Sequence, residues 1–249
     1  MSWFQLDPIS VVRRIQENAR ITDIPTLTTS VWRGMIGFTL VSVAGFVPWA
    51  VTGGWFYRHV GEAGLYAICA AVFIGSSGCL LHRLIIGSGS LVRFYKLFGI
   101  SFATYSAAWI AGWMSLRGHP GSLAGLFAGT AIMGFMLARA FDAASETVKA
   151  FAALFLLNSF GYFIGGWVEG AVIGLKQISP LGESLAKPTQ VMIAKLLWGV
   201  CYGFGFGAGL GVAFHFCQTR TRALLISSRD NEGVPLNPAQ PNNSANSQS

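Results

Sequence analysis

Three side chains in this sequence could do chemistry in an apolar setting: Glu169, Lys195 and Asn158. Each stands inside or at the edge of a long hydrophobic run. A charged group at the centre of a membrane helix costs roughly 2.5–3.5 kcal/mol on insertion scales, so it persists where it has a partner or lines a path. Glu169 ends one run and Lys195 begins the next, where the two can pair or each reach separately to the interface. Asn158 sits in the middle of its run, where an amide bonds across to another helix or lines a pathway. These three residues are the candidates for a substrate or ion pathway.

Other chemistry finds less support. Cys69, Cys79, Cys201 and Cys217 form no C-x-x-C pair and fall in or beside apolar segments, which predicts free thiols. His82 and His215 fall at the ends of apolar runs, and no set of partners that would complete a metal site is found, so no metal and no cofactor is expected. There is no H-E-x-x-H, no G-x-S-x-G and no phosphate-binding glycine loop. Gly75-Ser76-Ser77-Gly78 resembles the G-x-S-G of the rhomboid intramembrane serine proteases, and that resemblance would imply a serine nucleophile with a histidine base. The placement departs from that family, whose serine opens the fourth span. Here the serines come late in the second span, and His215 lies near the far end of the sixth. Back-bonding of Ser76 and Ser77 to the preceding helical turn is the simpler expectation.

The most regular pattern is made of glycine. Gly199, Gly203, Gly207 and Gly211 recur every four residues, as do Gly121, Gly125 and Gly129, and Gly161 with Gly165. Spacing of four places them on one helix face, where a missing side chain lets two backbones approach. Helix packing is the expectation. A glycine-rich sliding or pore-lining interface is the alternative, and a seam between copies of the chain a third.

The elements that must position these residues follow from composition. Of the 249 residues 53% are hydrophobic and 11% charged, too few charges to keep a soluble domain of this size dispersed. A bilayer core of about 30 Å takes about 20 apolar residues as a helix. The runs predict an all-α polytopic bundle with six spans, at about 34–53, 63–81, 95–115, 122–138, 148–168 and 191–216. Backbone polar groups must be paired in lipid, which favours helices, and no dyad alternation suggests a barrel. Ser30 is placed to cap the first span and Ser90 the third. Residues 1–31 carry Asp7-Pro8, a helix start, followed by Val11, Val12 and Ile15 on one side, which predicts an amphipathic helix in the headgroup region, with a soluble stub packed on the loops as the alternative. Residues 32–218 form the membrane domain, and 219–249 read as a disordered tail, rich in Ser, Asn, Gln and Pro towards its end.

Charge orients the bundle. Arg13, Arg14, Arg20, Arg33, Arg83, Arg93, Lys96, Arg139, Lys149, Arg220, Arg222 and Arg229 fall on one side of the six-span scheme. Only Arg58, Arg117, Lys176 and Lys187 fall on the other. The positive-inside rule then puts both termini in the cytoplasm, and the absence of a targeting segment makes the cell membrane the default. The net charge of +7 is accounted for by anionic lipid headgroups on the cytoplasmic side, with no nucleic acid. The expected role is a structural or accessory membrane subunit, partnered by its own copies or by a membrane complex. A small channel or transporter is the alternative, and an intramembrane hydrolase stands further off.

Overall fold

The computed structural model describes residues 4–17, 24–87, 89–175 and 186–232. Among these every regular element is helical. In chain order they are α1 (Pro8–Glu17), α2 (Leu27–Leu81), α3 (Ser90–Leu116), α4 (Gly118–Ala140), α5 (Thr147–Gly174), α6 (Lys187–Cys217) and α7 (Thr219–Glu232), with single 3₁₀ turns at His82–Leu84 and Ala144–Glu146. Four stretches are long and apolar enough to cross a membrane: Leu27–Leu84, Gly118–Ala140, Ala144–Gly174 and Lys187–Cys217. The chain has the character of a membrane-embedded protein. α3 falls short of that hydropathy because tryptophan, tyrosine and hydroxyl side chains recur along it.

α2 is two helices in one continuous run. Gly61, at φ 72° and ψ 178°, breaks the helical backbone. Beyond it the chain comes back along itself. Gly37 abuts Leu81, Gly45 abuts Phe73, and the Phe38 and Phe73 rings are 5.6 Å apart. In a straight helix Gly37 and Leu81 would be separated by roughly 66 Å at 1.5 Å per residue. The arm before Gly61 (27–60) and the arm after it (62–81) therefore form an antiparallel hairpin joined by a single residue.

Helix starts show which local signals prevail. Asp7 caps α1, accepting from the Ser10 amide at 3.0 Å. α2 begins at Leu27, capped by Thr26, whose hydroxyl accepts from the Thr29 amide at 3.2 Å. The expected cap, Ser30, lies one turn inside and is buried with its carbonyl against Gly211. α3 follows left-handed Gly89 (φ 66°) with no side-chain cap, so Ser90 does not cap it either.

Both ends of the chain differ from expectation. Val11 and Ile15 of α1 are covered by Ile86 and by Leu225 of α7, so this apolar face is turned to protein where the sequence led to a face laid among headgroups. Residues 219–232, expected in the disordered tail, form the helix α7. The rest of that tail, 233–249, lies outside the described residues, as do Arg20, Lys176 and Pro180.

Two buried amides close the helix ends. Gln218 donates to the carbonyls of Leu84 and Phe214 at 2.8 and 2.9 Å and accepts from the Ile86 amide at 2.9 Å, tying the end of α6 to the turn after α2. Gln190 donates to the carbonyls of Val172 and Leu175, both at 2.7 Å, and so satisfies the open end of α5.

Candidate functional site

The glycine rows decide where helices touch. On α6, Gly203, Gly207 and Gly211 press against Thr39, Gly34 and Val31 of α2's first arm, and Gly199 against Phe46. Gly205 and Gly209 face the other way, onto Gly161 and Ala153 of α5, while Gly165 receives the Trp198 indole. On α4, Gly121, Gly125 and Gly129 lie against Gly112, Trp109 and Tyr105 of α3. A methyl group added at Gly203 would come within 2.6 Å of the Thr39 Cα, and one at Gly125 within 2.7 Å of the Trp109 Cα. These are backbone-to-backbone seams. They draw α6 to α2 and α5, and α3 to α4.

The space left between these seams is filled by aromatic rings. Phe38, Phe94, Phe98, Phe102, Phe206 and Phe214 are buried and pack ring against ring in the half of the bundle that holds α1 and α7. Towards the Gly61 end the filling is incomplete, and a cavity of about 320 Å³ opens between α2, α3, α5 and α6. Its floor is buried and consists of Phe73, Phe102, Tyr105 and Tyr202, each 6% exposed or less. Its rim is half-buried and carries Trp49, Tyr66, Trp109, Trp113, Tyr162 and Trp198. No lining residue is ionisable at neutral pH.

A polar cluster stands at the mouth. Glu62, the first residue after the Gly61 reversal, accepts from the Trp113 indole N–H at 2.8 Å, from Arg117 at 2.7 Å and from the Tyr66 hydroxyl at 3.2 Å. Tyr66 and Trp113 both line the cavity, so Glu62 holds two rim aromatics in place. Arg117 is the hinge between α3 and α4 and has φ 53°, a conformation that side chains other than glycine rarely take. Its hydrogen bond to Glu62 raises its pKa, so the guanidinium stays charged.

The floor holds a second network. Asn158 is fully buried and donates through Nδ2 to the Tyr105 hydroxyl at 2.9 Å, and the Tyr105 and Tyr202 hydroxyls are 3.2 Å apart. Asn158 thus bonds to another helix. Its Oδ1 and the indole N–H groups of Trp109 and Trp198 have no partner among the described residues.

Lys195 is committed to α2. Its ammonium lies 4.4 Å from the centre of the Trp49 ring and donates to the Trp49 carbonyl at 3.3 Å. Glu169 is half-buried, and no ion pair joins it to Lys195. The structure therefore places the three polar candidates around the cavity's end of the bundle without joining them into one chain. The serine hydroxyls of the Gly75–Gly78 segment bond back within their own helix, Ser76 to the Val72 carbonyl and Ser77 to the Ile74 carbonyl, both at 2.8 Å. Neither is bonded to a histidine. The described residues contain no group of three metal-ligating side chains, and the four cysteines are free thiols.

Glu62, Tyr105 and Tyr202 were not among the candidates from sequence. Glu62 stands where an interfacial turn is expected, and acids are ordinary there. Tyr105 and Tyr202 sit in apolar runs, where a tyrosine reads as core. A tyrosine in mid-span is the one available signal, because its hydroxyl must find a partner. No family model matches the chain, and neither does any curated protein or solved structure.

Proposed function

We propose that this chain is a six-span cell-membrane protein with both termini in the cytoplasm, acting as a structural or accessory subunit. Six spans follow if each arm of α2 crosses once and α3 crosses with the others. The twelve basic residues on the terminal side then face anionic headgroups, in keeping with the positive-inside rule.

The observation that carries the accessory reading is that two of the three polar candidates for a path are already engaged. Lys195 is spent on Trp49 and Asn158 on Tyr105, and stacked phenylalanines fill the half of the bundle beyond the floor. The glycine rows are likewise used inside the bundle. What faces outward on α5 is large and apolar: Val148, Leu156, Phe160 and Trp167, between 64% and 73% exposed. Such a stripe suits lipid or the helix of a membrane partner.

Purification from native membranes in mild detergent, with mass spectrometry of stoichiometric companions, tests this. A defined membrane partner is expected, lost in the Phe160→Ala/Trp167→Ala variant while the chain itself stays folded. A chain that purifies alone overturns the reading. For orientation, single cysteines at Arg58 and at Arg83 in a cysteine-free background should react and fail to react, respectively, with an impermeant thiol reagent added to intact cells.

One feature favours a second reading, a small transporter: the cavity of about 320 Å³ among α2, α3, α5 and α6, with its half-buried rim, has room for a small solute. Solute flux in proteoliposomes that responds to Glu169→Gln or Lys195→Met, with folding unchanged, would put that reading first.

A further inference from the structure

The second arm of α2 and α3 lie side by side, and a stripe of each borders the cavity. Tyr66, Cys69 and Phe73 on the arm, and Phe102, Trp109 and Trp113 on α3, recur at helical spacing and all line it. The two helices are tied at the ends of this stripe. At the end away from Gly61, the Tyr95 ring abuts Gly78, its hydroxyl donates to the Gly75 carbonyl at 2.7 Å, and the Phe73 and Phe102 rings are 5.3 Å apart. At the Gly61 end the polar tie is Glu62, which accepts from Trp113 and Arg117. Between the two ties stand the small side chains Cys69, Ala70 and Ser106, and the cavity itself. Among the described residues no hydrogen bond joins the arm to α3 at the levels in between.

The Gly61 end has little else to hold it. From Gly54 to Ala63 only Phe56 and Glu62 are even partly covered, and Gly54 and Gly61 have nothing within 4 Å of where a Cβ would stand. The far side of the tie is strained. Arg117 has φ 53° and ψ 166°, a region nearly reserved for glycine. Such backbone persists only while its surroundings hold it, and it recurs at switch regions. One carboxylate therefore holds two rim aromatics, an otherwise uncovered tip and a strained joint.

We propose that the seam between the second arm of α2 and α3 is a side gate to the cavity, and that Glu62 is its latch. With Glu62 bonded, Tyr66 and Trp113 are held across the seam. With those bonds broken, Trp113 and Arg117 part from the arm, and the seam opens at the Gly61 end while the ties at Tyr95 and Phe73 stay closed. The gate serves the cavity whether the chain is a subunit or a transporter.

Three native thiols report on it in the purified full-length protein. Cys69 lines the cavity, Cys79 is exposed, and Cys217 is buried at the opposite end of the bundle. The protein is treated with N-ethylmaleimide for increasing times, and the labelled fraction of each cysteine is read by peptide mass spectrometry. Labelling of Cys69 follows the open population when reclosing outpaces the reaction. Glu62→Ala should speed it roughly fivefold or more, as the loss of charge-assisted bonds implies, and should leave Cys79 and Cys217 unchanged. Glu62→Gln keeps an acceptor for Trp113 and loses the charge that holds Arg117, so its effect should fall between. Where Glu62→Ala does not fold, Glu62→Gln decides, with a rise of about twofold or more required at Cys69. A Cys69 rate that neither variant changes would overturn the proposal. So would a rise at Cys69 that Cys217 matches, because that is a general loosening of the bundle and not a gate.

Discussion

Gly203 and Gly170 are the same residue type on neighbouring membrane helices, and they have opposite consequences. A methyl group at Gly203 would meet the backbone of α2, whereas one at Gly170 would meet nothing within 4 Å. Gly203→Leu should therefore destabilise the bundle by about 1–3 kcal/mol or more, the usual range for overpacking, and Gly170→Leu should be close to neutral. Thermal unfolding in detergent, followed by circular dichroism, separates the two. Gln218 is the polar counterpart. Gln218→Leu would strip the carbonyls of Leu84 and Phe214 and the Ile86 amide of their buried partner. An expected loss on the order of 3 kcal/mol follows from leaving buried groups unpaired, with no change in helix content. Spacing alone found the glycine seams, because a four-residue period is a property of the sequence. It could not find Gln218 or the Tyr105–Tyr202 pair, since their partners lie 134 and 97 residues away along the chain. For Lys195 it found the residue and left the partner open, between Glu169 and a separate reach to the interface; the Trp49 ring on α2 is what lies beneath the ammonium.

At the scale of elements, Gly61 is the position on which the hairpin depends. Its φ and ψ fall in a region essentially reserved for glycine. Gly61→Ala should cost about 1–3 kcal/mol, and the loss should appear as weaker association of the two arms. Crosslinking between cysteines placed at Gly37 and Leu81, which abut in the folded hairpin, would report it. A variant that crosslinks as readily as the parent at every temperature would show that the turn tolerates a side chain. Sequence reading placed breaks near 53–63 and 115–122 because charges and glycine cluster there, and the helices do reverse there. It missed how short the turns are. Hydrophobicity marks where lipid ends, whereas a helix continues as long as its hydrogen bonds do, and so the first arm of α2 runs to Val60, past the span expected to end near Gly53, while α3 ends at Leu116, close to where its span was expected to end. The caps were misplaced for a related reason: Thr26 and Ser30 are equally good cap residues, and only the packing of Ser30 against Gly211 decides between them.

At the scale of the whole molecule, the seams and the cavity have one cause. Glycine rows fix two sets of close contacts, and the aromatic volume between them falls short at one end. Filling that shortfall should stabilise the protein. Ala70→Leu, on the cavity wall, is expected to add about 0.5–2 kcal/mol, as cavity-filling changes commonly do. A lower melting temperature would mean that the wall has no room to spare. The hairpin has a consequence for how such a chain is made. Its two arms are joined by one residue, with Arg58 and Glu62 the charges nearest the tip. No hydrophilic loop has to be carried across the bilayer. On the six-span reading proposed above, a joint of one residue makes the two arms a single unit of insertion.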